Sequence, residues 1–157
     1  MKDLFRCLDD YPPQLLQAIS RVWQVSLPEK EPREMARHLA EAMVAPKAVE
    51  RTLQELSPSA RAAMAEIVKE GGAAPGHRLS VEYGNIRRLG PAAMAREEPW
   101  SRPKGVLEEL YYKGIIYRAY ATVADYYGEV YFIPQQLLAS LQGLEREATE
   151  LNIRRVP

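Results

Sequence analysis

At Gly114 the chain changes the period of its apolar side chains, and that change restricts the fold more than any other feature. Before it, apolar residues recur at three- and four-residue spacing. After it, Ile115 to Val123 is a run rich in β-branched and aromatic residues. Ala124-Asp125-Tyr126-Tyr127-Gly128 reads as a turn and Glu129 to Ile133 as the returning strand. Pro134 ends that strand, and Gln135 to Leu144 resumes helical spacing through Leu137, Leu138 and Leu141. An isolated hairpin is marginal in water, so this one must pack on the elements before it.

Those elements read as three helices. Ser57 is an N-cap with Pro58 at the first helical position, and Ala60, Ala63, Met64, Ile67 and Val68 form one apolar stripe. Gly71-Gly72 supplies the left-handed stop. A loop, Ala73 to His77, leads to Ser80 as the next N-cap, and the second helix runs from Val81 to about Leu89, ending at Gly90-Pro91. A longer loop follows, with Trp100 as a plug on the core. Ser101 then caps a third helix that reaches Lys113, with Val106, Leu107, Leu110 and Tyr111 facing inward. Three helices and a hairpin is the order of a winged helix-turn-helix, expected here over residues 57–144. The hairpin is the wing, and Ser101 to Lys113 is the helix in the recognition position.

Residues 1–56 are expected to form a separate helical unit. Leu15, Leu16, Ile19, Val22 and Trp23 recur at helical spacing after Tyr11-Pro12-Pro13. A second helix runs from about Pro32 to Val44 and a third from Pro46 to Leu56. A helix, a short loop and a charged helix start resemble a SAP-like or Rho-N-like hairpin; a packing and docking unit is the plainer reading. Residues 145–157 read as a tail or the cut end of a longer protein. The fold class is therefore mainly α with a small β-hairpin.

Composition narrows the function. Apolar residues make up 46% of the 157, enough for a core, and 21 basic residues balance 21 acidic ones. No global field draws the chain to a polyanion or a membrane, so any electrostatic footprint is local. The single Cys7 forms no internal disulfide and sits in an apolar opening turn, where a packing role is expected. Without an apolar N-terminal run, the chain is expected to be soluble and cytoplasmic.

Catalysis is not expected. His38 and His77 are the only histidines and fall in different elements; no ligand spacing marks a metal site and no base stands beside a nucleophile. No cofactor or small-molecule substrate is indicated.

Four blocks carry a family resemblance: Tyr83-Gly84-Asn85-Ile86-Arg87-Arg88-Leu89-Gly90-Pro91, Arg96-Glu97-Glu98-Pro99-Trp100, Leu110-Tyr111-Tyr112-Lys113-Gly114-Ile115-Ile116, and Val130-Tyr131-Phe132-Ile133-Pro134. Together they are similar to a pattern in bacterial helicase-associated proteins, which are related to the N-terminal region of XPB-type DNA helicases. The resemblance covers about Ser57 to Leu141. It implies a winged helix within a larger chain and a DNA-linked role without an assigned reaction. No GxxxxGK[ST] phosphate loop is present, so the chain carries no motor of that kind.

Two partner classes follow: DNA, placed first because of the resemblance, and as the alternative a protein partner or second copy, which the residues without it would favour. For DNA, Arg87, Arg88, Arg102, Lys104 and Lys113 are the candidate phosphate contacts. Between Arg78 and Arg118 eight basic residues face five acidic ones, a local net +3. Arg87 and Arg88 have a second reading, as cations at a helix C-terminus pairing with Glu82 or Glu97. Against DNA, Glu108 and Glu109 fall on or near the outward face of the recognition helix, and the wing tip is acidic. Tyr126 and Tyr127 at the wing tip can assist DNA binding by stacking on unpaired bases, or serve as the contacts for a protein partner or a second copy of the chain. Six tyrosines lie between residues 112 and 131, of which Tyr117, Tyr120 and Tyr131 can equally pack the hairpin as cross-strand pairs.

Overall fold

A computed structural model describes residues 2–143. Four short helices open the chain: α1 (Leu4–Asp9), α2 (Pro13–Val22), α3 (Pro32–Met43) and α4 (Pro46–Gln54). Proline occupies the first position of α2, α3 and α4, where its fixed φ suits the helix and its missing N–H is no loss.

The second half runs α5 (Pro58–Lys69), β1 (Ala73–Pro75), α6 (Gly76–Tyr83), α7 (Pro91–Glu97), α8 (Val106–Tyr112), β2 (Tyr117–Val123) and β3 (Tyr126–Phe132). Helical residues 135–143 (α9) follow. The strands form one antiparallel sheet of order β1-β3-β2. Mainly helical structure with this small sheet, in this order, is a winged-helix layout.

Local chemistry explains the best-marked ends. The Ser57 hydroxyl accepts from the Ala60 N–H at 3.1 Å, capping α5. Gly71 and Gly72, with φ of +93° and +98°, close its other end: Gly71 N–H reaches Val68 O and Gly72 N–H reaches Ile67 O. Gly114 ends α8 in the same way at φ +76°. An added Cβ there would lie 3.0 Å from Ile19 and 3.2 Å from Met43, so the helix end docks on the N-terminal unit.

One apolar core runs through both halves, joining Leu16, Ile19 and Trp23 of the first to Leu110, Ile115 and Ile116 of the second. The Trp23 indole N–H donates to Lys113 O at 2.7 Å, satisfying its polar atom in the core. Trp100 is partly buried against that core.

Several expected boundaries are corrected. The second helix starts at Gly76, not Val81, and ends at Gly84 (φ +89°), so Ser80 lies inside it and is not its cap. Gly90-Pro91 begins a helix instead of ending one: Pro91-Ala92-Ala93-Met94 is a run of good helix formers behind an N1 proline. Ser101 does not cap the third helix, which starts only after Gly105. Residues 73–75, expected in a loop, pair with β3 as a third strand. The wing turn is only Ala124-Asp125, because Tyr126 and Tyr127 already belong to β3. The tail at 145–157 lies outside the described residues.

Candidate interaction surface

The helix in the recognition position is enclosed. Leu107, Glu108, Leu110, Tyr111 and Tyr112 are buried, and Val106, Glu109 and Lys113 are half-buried. Both acids on it turn inward, against expectation. Glu108 is 0% exposed and accepts from the Arg87 N–H (3.0 Å), the Arg87 guanidinium (2.6 Å at Nη2) and the Lys104 N–H (3.0 Å). Burial raises its pKa, but the Arg87 side chain and the two backbone donors outweigh that and hold it below the usual carboxylate value. Glu109 accepts from the Ser57 N–H and hydroxyl at 3.0 and 2.9 Å, tying α8 to the cap of α5.

The five nominated cations do not converge. Arg87 is committed to Glu108 and, at 3.6 Å, to Glu97. Arg88 reaches across to Glu129 at 2.7 Å. Arg102 pairs with Glu98 at 3.3 Å and donates to Arg96 O. Lys113 lies inward beside Glu109 at 3.8 Å. Lys104 is exposed and forms no ion pair among the described residues.

The wing has two unlike faces, set by the register. Tyr117, Ala119, Ala121 and Val123 oppose Phe132, Val130, Gly128 and Tyr126 on one. Arg118, Tyr120 and Thr122 oppose Tyr131, Glu129 and Tyr127 on the other. Tyr117 and Tyr131 are buried, so packing accounts for them. Tyr120 and Tyr127 are 73% and 75% exposed on the same face. Tyr126 is not a free contact: its hydroxyl folds back to Glu129 O at 3.2 Å, over the space left by Gly128. Tyr120 is the exposed aromatic that sequence reasoning did not single out. Strand alternation held the signal, because it sets Tyr120 on the face opposite Tyr117.

A groove of about 580 Å³ borders the free side of β2, between Lys2, Asp10 and Tyr11 on one wall and Tyr117, Ala119 and Ala121 on the other. The reactive groups, including Cys7 at this groove, are subdued. Cys7 is buried, and desolvation pushes its thiol up to about 12, which leaves almost no thiolate at neutral pH. His38 meets Glu29 at 2.8 Å, while His77 lies exposed on α6. Among the described residues no three His, Cys, Asp or Glu side chains gather as a metal site, and no helix is long and apolar enough to cross a membrane. No protein-family model, curated protein or solved structure matches the chain.

Proposed function

We propose that the chain is a non-catalytic winged-helix docking module that engages a protein partner through its wing. One observation carries this reading: the recognition helix is enclosed, while Tyr120 and Tyr127 stand exposed on one face of the wing. Large amphipathic rings on a rigid hairpin bury much area on contact at a low entropy cost. A helix with no fully exposed residue offers little to a DNA major groove. The likeness to helicase-associated proteins supports a role within a helicase- or transcription-linked assembly.

Nucleic-acid binding is the second reading, favoured by three exposed cations: Arg96 in the last turn of α7, and Arg102 and Lys104 on the segment that leads into α8. The two are separated by titrating labelled duplex and single-stranded DNA at low and near-physiological salt. The docking reading expects no binding that survives the higher salt. Retained DNA binding that is lost when Arg96, Arg102 and Lys104 are replaced by alanine would favour the second. A photo-crosslinking residue at Tyr127 gives the positive arm: it should join a discrete protein in cells, while the same residue at exposed Glu50 should not.

A further inference from the structure

β2 is an outer strand of the sheet, so on the side away from β3 its backbone groups meet no strand among the described residues. Natural edges are usually blunted by proline, a bulge or a row of charges. β2 has none of these: Tyr-Arg-Ala-Tyr-Ala-Thr-Val contains one charge and no proline, and its seven positions pair with β3 in unbroken register. Beside it lies the 580 Å³ groove, lined on the β2 side by the small side chains of Ala119 and Ala121 together with Tyr117. A further extended chain would lie about 4.8 Å beyond this edge.

Arg118 supplies the second observation. It is half-buried, its guanidinium sits 4.7 Å above the Tyr111 ring centroid, and it donates to the Tyr111 hydroxyl at 3.0 Å. It forms no ion pair among the described residues, whereas the nearby cations are matched: Lys2 by Asp10 and Arg88 by Glu129. Glu129, whose charge also acts on Arg118, is ion-paired with Arg88, so the guanidinium has no carboxylate bound to it among the described residues, and a carboxylate is its best geometric match. Arg118 lines the groove along β2, so an occupant of that groove passes beside it.

We propose that the free edge of β2 is a strand-addition site for an extended acidic peptide of a partner protein, whose main chain continues the sheet and whose carboxylate meets Arg118. This rests on the docking reading and names its partner's chemistry. A peptide is favoured over a nucleic acid because a strand edge presents alternating donors and acceptors, and a phosphodiester backbone has no donors to return. With Lys2 paired to Asp10, Arg118 is the one unmatched cation among the described residues that line this groove, which gives a polyanion little purchase there.

The test uses the whole chain, isotope-labelled, and two synthetic heptapeptides of alternating valine and threonine that carry glutamate or glutamine at the centre. The glutamate peptide should shift and protect the amides of residues 117–123 and bind at least about tenfold tighter than the glutamine peptide. Arg118→Gln should bring the two peptides to equal, weak affinity, with an unchanged melting temperature as the folding control. Equal affinity for both peptides on the unaltered chain, shifts confined to other elements, or displacement of the peptide by a short oligothymidylate would each overturn the proposal. So would the absence of binding by either peptide. If that result comes while the crosslinker at Tyr127 still joins a protein, strand addition falls and the docking reading stands. If both fail, both fall.

Discussion

Arg87 and Glu108 form a clamp buried at its carboxylate end: the half-buried guanidinium of one grips the carboxylate of the other, whose remaining oxygen capacity is filled by the backbone N–H groups of Arg87 and Lys104. The Tyr112 hydroxyl completes it by donating to Arg87 O at 2.9 Å. The segment from Gly84 to Gly105, which includes α7, is thereby fastened over α8. This contact removes the recognition helix from solvent and spends the cation that sequence reasoning had assigned to phosphate.

Removing Glu108 leaves Arg87 with Glu97 and solvent, whereas removing Arg87 strands a carboxylate that is 0% exposed. Arg87→Ala, which strands the buried carboxylate, is expected to lower stability by about 3–5 kcal/mol, read from urea unfolding. The double variant Arg87→Met with Glu108→Leu should lose much less than the two single losses combined, since no uncompensated charge remains. Additive losses would refute the clamp.

The same contact predicts acid sensitivity. The folded-state pKa of Glu108 lies below its unfolded value of about 4.3, so its contribution is fully present above that value. It is lost as pH falls through the lower folded-state value. Unfolding free energies measured from pH 7 down to pH 3 should decline more steeply below about pH 4.5 for the natural chain than for Glu108→Gln. Parallel declines would count against it.

Tyr117 buries its hydroxyl without a hydrogen-bond partner among the described residues, near Gly114, while its ring stacks on Tyr11 at 5.7 Å. Tyr117→Phe keeps the stacking and removes the desolvated oxygen. It should raise stability by about 1 kcal/mol, where a loss is the usual result of deleting a satisfied tyrosine hydroxyl. Thermal melts of the two proteins decide it.

Ala124 holds φ at +53° in the two-residue turn of the wing, a conformation that a Cβ disfavours. Ala124→Gly relieves that strain but adds chain entropy to the unfolded state. A net gain of about 0.5–1 kcal/mol is expected, with the amide resonances of β2 and β3 unmoved. A destabilised variant would mean that the turn carries no strain.

What the sequence determined by itself was local. Ser57-Pro58, Gly71-Gly72 and Gly114 mark helix ends because each meets its need within five residues, through a side-chain cap or a positive φ. The hairpin was legible because its strands follow each other and share a strong β-branched and aromatic bias. These features were enough for the winged-helix order. Tertiary structure decided everything that depends on a distant partner. Ala73-Ala74-Pro75 has no strand bias of its own and becomes a strand only because β3 pairs with it. Glu108 and Glu109 read as outward by hydrophobic period, yet they turn in toward Arg87, 21 positions away, and Ser57, 52 positions away. A period records which residues avoid water; it carries no information on a carboxylate whose solvation is replaced by donors from elsewhere in the chain. For the same reason only the folded wing separates Tyr126, held by its own strand, from the exposed Tyr120 and Tyr127.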